Sequence, residues 1–344
     1  MQRWRGYTAT PGWGRSVVTI GVFDGVHRGH QEIIGHAVKR ARDLGVQSIV
    51  VTFDPHPAEV VRPGSHPAVL TGPGRKAELI EQLGADVLCV LPFTAEFSRL
   101  SAEAFVHDVL VENLHAALVV IGENFRFGHR AAGDVALLSR LGRTFGFAVE
   151  PAPLVSGDDT VFSSTYIRAC VAAGDIMAAA TALGRPHRLE GVVVRGYGRG
   201  REIGFPTANL MSGAYAAVPA DGVYAGWLVR RRPRPSRADQ GQTGAVRSSD
   251  HADSSLIDGG DRGGDRGGGR RMGAAISIGT NPTFSGQERR VEAYVLDFDG
   301  DLYGERVAID FVARLREMRK YDDIEPLVAQ IHEDVAQTRQ LLGW

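Results

Sequence analysis

The chain has 344 residues, enough for two domains that each bury a core of their own. Its 43% hydrophobic and 23% charged residues are a globular composition, and a formal net charge of -1 gives no global electrostatic reason to expect nucleic acid or an anionic membrane as a partner. Two cysteines, Cys89 and Cys170, exclude a disulfide framework and fit a reducing cytoplasm, while the absence of any apolar run of about 18 residues excludes a bilayer-spanning segment.

The basic residues of Met1–Gly6 have no apolar run behind them and do not read as a signal peptide. Short apolar runs at 17–23, 48–53, 86–91, 117–121 and 145–150 then read as buried strands. Between them, residues 31–44 place Ile33, Ile34, Ala37, Val38 and Ala41 on one helical face, and 75–83 and 101–114 repeat the pattern, with Ser101 suited to a helix start. Strands alternating with helices imply a Rossmann-like α/β domain around a parallel sheet, whose ligands bind at the carboxyl ends of the strands. The loops after Phe23, Phe53 and Ile121 are therefore the candidate site.

A helix at 176–183 is broken by Gly184-Arg185-Pro186, and the texture changes. Strands are expected at 189–195, 222–230, 273–279, 291–298 and 306–311, with no helix until 324–342. That spacing predicts an antiparallel β-barrel closed by a terminal helix. The expected division is residues 1–185 and 186–344. Residues 231–271 interrupt the second domain. They are rich in Gly, Arg, Asp and Ser, repeat Gly-Gly-Asp-Arg and hold few large apolar side chains, so they are expected to be a disordered insertion in one loop.

Gly21-Val-Phe-Asp-Gly-Val-His27-Arg-Gly-His30 lies between a strand and a helix. Its glycines permit close backbone approach, and the helix start offers free N–H groups and a positive dipole end to a phosphate. His27 and His30, three residues apart, can project together there. No Gly-x-x-x-x-Gly-Lys-Ser/Thr sequence occurs, which argues against a P-loop kinase in either half. In the second half a glycine cluster, Gly196-Tyr-Gly-Arg-Gly200, precedes Gly204-Phe-Pro-Thr-Ala-Asn209. On extended chain Thr207 and Asn209 face the same way and present two neutral oxygens, suitable partners for a Mg²⁺ that takes its other ligands from water and ATP. Alternation along Val291–Phe298 puts the Glu292 carboxylate on a face with Tyr294, Leu296 and Phe298, a setting for a general base.

These motifs, with Phe53-Asp-Pro-His-Pro57, Gly122-Glu-Asn-Phe-Arg-Phe-Gly128, Ser163-Ser-Thr-Tyr-Ile-Arg168 and Ile278–Phe284, occur in the order found in the prokaryotic bifunctional riboflavin kinase/FAD synthetases. The chain resembles that family over its whole length except residues 231–271. The resemblance implies ATP-dependent phosphorylation of riboflavin to FMN, then adenylylation of FMN to FAD with release of pyrophosphate. It places His27 and His30 on the ATP phosphates, with His30 as transition-state donor. It places Ser163, Ser164, Thr165 and Arg168 beside the triphosphate, and Phe53, Asp54, His56 and Asn124 on the flavin side. In the other half it gives Thr207 and Asn209 to Mg²⁺ and nucleotide, and Glu292 the role of base toward the ribityl hydroxyl. Lys320-Tyr321 stands where the family commonly has Lys-Phe.

Two other readings have distinct signatures. A monofunctional FMN adenylyltransferase with a flavin-binding, non-catalytic barrel would make no FMN from riboflavin. A nucleic-acid regulator using the arginine-rich insertion would show steeply salt-dependent RNA binding.

Overall fold

The computed structural model describes residues 1–6, 14–157, 160–196, 199–230, 270–283 and 286–344, with the side chains at 199, 281–283 and 286–288 outside that description. The predicted insertion at 231–271 therefore lies outside the described residues except for Arg270 and Arg271, and Arg271 opens a strand.

In the first half, β1 (Gln2–Arg5), β2 (Ser16–Ile20), β3 (Gln47–Asp54), β4 (Val87–Pro92), β5 (Ala116–Gly122) and β6 (Ala148–Ala152) form one parallel sheet in the order β1-β4-β3-β2-β5-β6. Its helices are α1 (Arg28–Leu44), α2 (Pro57–Val61), α3 (Pro73–Gln82), α4 (Ala102–Phe105) and α5 (Val135–Phe145). β2 is buried along its whole length, as an inner strand covered on both faces must be. The face of α1 expected from periodicity packs on it: Ile34, Ala37, Val38 and Ala41 are buried and Ile33 is partly so. Full burial of one such isoleucine contributes roughly 1.5–3 kcal/mol. Ser101 caps α4 as expected, its hydroxyl accepting from the Ala104 N–H at 3.0 Å, and the helix then widens to a π-helical stretch over Val106–Asn113.

Three boundaries differ from the sequence reading. The run 17–23 ends as a strand at Ile20, because Phe23 turns to φ 50°. The last strand starts at Ala148 because α5 runs to Phe145 and Gly146 ends it in the left-handed conformation. β1, too polar to be noticed, pairs parallel to β4 at the sheet edge.

A small hairpin, β7 (Ser156–Gly157) with β8 (Thr160–Val161), leads to α6 (Ser164–Ala173) and α7 (Ile176–Leu183). Then β9 (His187–Val194), β10 (Thr207–Ser212), β11 (Gly222–Arg230), β12 (Arg271–Thr283), β13 (Gly286–Val295) and β14 (Arg306–Arg316) close an antiparallel barrel in the order β10-β13-β12-β11-β14-β9. A one-turn helix, α8 (Arg199–Glu202), interrupts the stretch expected to lack helices, and α9 (Ile324–Leu342) packs on the barrel wall. The halves share packing. Ile176 of α7 lies in the barrel core, and Leu70, Ile167, Val171, Leu183 and Ala217 form one buried cluster across the junction.

Candidate active sites

The chain order reverses at β2, with β3 and β4 to one side and β5 and β6 to the other, the place where open parallel sheets take ligands. There residues 21–27 leave the sheet along a strained path. Phe23 (φ 50°) and Val26 (φ 40°) flank Gly25 (φ 83°), and for the two side-chain-bearing residues such backbone costs on the order of 1–3 kcal/mol each. Asp24 supplies the hold. Its buried carboxylate accepts from the N–H groups of Leu70 and Thr71 at 3.1 Å, from the Thr71 hydroxyl at 3.3 Å and from the Arg168 guanidinium at 2.6 Å. Thr71 in turn accepts from the Gly25 N–H at 2.9 Å, and the Ser164 hydroxyl donates to the Asp24 carbonyl at 2.8 Å.

This loop delivers His27 as the N-cap of α1. His27 Nδ1 accepts from the His30 N–H at 3.4 Å, which leaves the proton on Nε2. The two imidazoles stack with centroids 3.6 Å apart, and Phe23 meets His30 edge-on at 5.1 Å. A Cβ at Gly29 would press on the His27 ring at 3.2 Å, so glycine lets the rings lie this close to the helix. Burial and then the Arg185 guanidinium push His27 down to about 4, against the pull of Asp24. Burial, His27 and Lys76 hold His30 well below the ordinary imidazole range. Both rings are thus neutral near pH 7 in a positive surround, and His30 Nδ1 is buried with no partner. Together with the N-terminus of the 17-residue α1, this is an environment that favours an anion.

The remaining N-terminal candidates divide. Ser163 caps α6, accepting from the Tyr166 N–H at 3.1 Å, while Thr165 in the first turn is exposed. Arg168 is anchored through Asp24 and the Ala68 carbonyl, at 2.6 Å each. His56 caps α2, and burial followed by the Arg168 charge lowers its pKa. Asp54 is surface-exposed, paired with Arg5 at 3.3 Å, and its charge reaches Lys76. Phe53 packs with Phe93 and Phe97, and the exposed Asn124 folds its amide back over Gly122.

In the barrel, strand pairing decides the geometry. β10 and β13 run antiparallel with Asn209 opposite Glu292 and Thr207 opposite Tyr294. The alternate residues Leu210, Val291 and Ala293 fill the core, so Thr207, Asn209 and Glu292 share the outer face. The Thr207 hydroxyl donates to Glu292 Oε2 at 3.3 Å. Glu292 also lines a cavity of about 200 Å³ with Asp221, Ser277, Thr280 and Met318 among its walls. Gly196 and Gly200 approach the pair closely: a Cβ at Gly196 would collide with the Asn209 amide, and one at Gly200 with the Phe205 carbonyl. One expectation is met only in part: Leu296, just past the end of β13, lies buried beside Gly273 where Leu342 of α9 also packs, outside the barrel core, whereas Phe298, beyond Asp297 at φ 51°, packs against the core cluster.

Residues 10–166 match the FAD synthetase family model and residues 183–342 the riboflavin kinase model. A bifunctional riboflavin kinase/FMN adenylyltransferase of Pseudomonas fluorescens is 36% identical, over 94% of this chain and 92% of that relative. The chain belongs to the bifunctional riboflavin kinase/FMN adenylyltransferase family. The relative of that name from Listeria monocytogenes is 35% identical over 94% of this chain and 91% of its own. A crystal structure described as a macrolide-efflux protein from Streptococcus pneumoniae has the same fold, with 30% identity and a TM-score of 0.80 over 98% of this chain and 99% of that one. Among the described residues no helix is long and apolar enough to cross a membrane.

Sequence reasoning missed three polar residues that bear on the histidine loop. Asp24 stood inside the quoted glycine motif and was the one with a signal, since an acid between two loop glycines has a turn to hold. Lys76, the fourth residue of α3, donates to the Val22 carbonyl at 2.8 Å. Arg185 donates to the carbonyls of Val26 and Leu183 at 3.1 Å and to that of Gly25. Both arrive from distant elements, and nothing local marks them.

Proposed function

We propose a division of the family's two activities over two separate constellations, with residues 1–185 carrying adenylyl transfer and residues 186–344 carrying phosphorylation. The reading rests on the adjacency of Thr207, Asn209 and Glu292 on one barrel face, apart from the stacked His27–His30 pair at the sheet.

In the barrel, Glu292 accepts the proton of riboflavin's terminal ribityl hydroxyl as that oxygen attacks the γ-phosphorus of ATP and ADP leaves with the β–γ bridging oxygen. Thr207 holds the carboxylate in place through its hydroxyl. A hydroxyl, an amide oxygen and a carboxylate side by side are hard oxygen donors of the kind Mg²⁺ accepts alongside ATP phosphates, and among the described residues no cluster of acidic, His or Cys side chains offers an all-protein metal cage. Mg²⁺ bound there by Thr207 and Asn209 would neutralise phosphate charge. Gly196 lies against the Asn209 amide and Gly200 near the Thr207 hydroxyl, and the chain there is positioned to exclude water from the transfer.

At the sheet, the FMN phosphate attacks the α-phosphorus of a second ATP and pyrophosphate leaves. No protein nucleophile is needed; fixed donors for the growing oxygen charge are. His27 donates through Nε2–H and His30 through its imidazole, both as neutral groups. Lys76 and Arg168 supply positive charge, with Arg168 held at a fixed angle by Asp24. Ser163, Ser164 and Thr165 present the first turn of α6 to the triphosphate. Phe53 and Asp54 at the end of β3, His56 before α2 and Asn124 after β5 take the flavin side.

Incubation with riboflavin, ATP and Mg²⁺, followed by chromatographic separation of riboflavin, FMN and FAD over time, tests the scheme. FMN is expected first and FAD after a lag. FAD formation from supplied FMN without any FMN from riboflavin would leave the barrel as a binding module only.

A further inference from the structure

We propose that the cleft between the parallel-sheet half and the barrel binds a phosphate-ester anion of nucleotide size, at a third site distinct from the two reaction sites. The cleft has a volume of about 560 Å³, within the range that holds a small organic ligand. Four guanidiniums line it: Arg75 of α3, Arg185 of the interdomain turn, Arg188 of β9 and Arg271 of β12. They come from four separate elements of the chain, so only the docking of the two halves brings them together.

The lining holds a single carboxylate, Asp310, and it is committed to Arg188 through two hydrogen bonds of 2.6 and 2.7 Å. Glu78 reaches Arg75 at 3.4 Å. Glu190, two residues beyond Arg188 on β9, turns its carboxylate toward Gly72 rather than into the lining. The four guanidiniums outnumber the neighbouring carboxylates, so the balance stays positive and like charges held this close repel. Burial first, then the Arg75 and Arg188 charges, push Arg185 down to about 9. The Nε atoms of Arg75 and Arg271 are buried without hydrogen-bond partners. A phosphate between them would satisfy both donors and relieve the repulsion, and guanidinium forks suit its oxygens. Leu79, Leu83 and Pro186 add apolar wall, which a bare inorganic ion would not use but a ring system would. Arg185 also hydrogen-bonds the backbone just before His27, so an occupant there touches the loop that carries the adenylyl-transfer histidines.

Isothermal titration of the full chain with pyrophosphate is the direct probe. Wild type is expected to take up one equivalent more than Arg75→Gln or Arg271→Gln, or to bind the extra equivalent at least tenfold more tightly. The KM for ATP should be unchanged in both reactions of these variants. Competition by FMN but not ADP would assign a flavin phosphate, and the reverse an adenine nucleotide. Equal uptake by wild type and both variants, or failure of both esters to displace pyrophosphate from the extra site, overturns the proposal. If a Gln variant does not fold, Arg75→Lys keeps the charge and loses the fork, and it must still bind the extra equivalent more weakly.

Discussion

The two halves of this protein hold the groups proposed to handle phosphate by opposite means. At the parallel sheet the groups sit on loops and helix starts, and a buried carboxylate, Asp24, ties a strained turn to α6 and to the segment before α3. In the barrel they sit on the strands themselves, and the register of β10 against β13 sets Thr207, Asn209 and Glu292 side by side. The first arrangement surrounds neutral imidazoles with positive charge; the second sets a carboxylate among neutral oxygens. A site built on loops can be tuned by distant residues, whereas one built on paired strands is fixed once pairing is fixed.

That contrast can be broken most sharply at Glu292. Glu292→Gln keeps shape and removes the base, and FMN formation from riboflavin is expected to fall about 10²–10⁴-fold. Conversion of supplied FMN to FAD should continue at the wild-type rate; loss of both reactions would mean the sites are not separate. His30→Ala should do the converse, slowing adenylyl transfer on the order of 10²–10³-fold so that FMN accumulates. An unchanged rate of FAD formation would remove His30 from the chemistry.

Acid should act on the sheet half through its buried histidines. His27 is held near 4 when folded, against 6.5 as its ordinary value, so the unfolded chain binds a proton that the folded chain refuses. Stability from this residue is fully present above pH 6.5, falls as pH drops below it and is lost by about pH 4, a change of up to about 3 kcal/mol. His30 acts in the same direction. Thermal melts from pH 7.5 to 4.5 should show the midpoint falling, and less steeply in His27→Gln; a slope as steep in that variant would remove His27 from the effect.

The mildest test sharpens the barrel side. Gly196→Ala places a methyl against the Asn209 amide, an overpacking worth about 1–3 kcal/mol. The KM for ATP in phosphorylation should rise roughly tenfold, since 1.4 kcal/mol is a factor of ten, with adenylyl transfer unmoved. An effect on FAD formation of equal size would show that the flap serves both halves.

Much was legible in the chain itself, and the reason is local. Alternation along 207–209 and 291–295 and the helical spacing of 31–44 follow from backbone geometry that each segment carries alone. So do the glycines of the flap, and the histidines three residues apart at a helix start. The overreach at Phe298 came from extending the same alternation past Val295, where Asp297 turns to positive φ and no neighbouring residue foretells it.

The sequence by itself determined a parallel α/β half, a barrel half, and the short motifs proposed to carry the chemistry. Only the tertiary structure decided that Asp24 anchors Arg168 across 144 residues and that Lys76 and Arg185 bear on the histidines. It alone put Ile176 into the barrel core and four arginines into one interdomain cleft. Periodicity reports a segment's own backbone, whereas charge pairing and docking depend on which surfaces meet after the chain has folded.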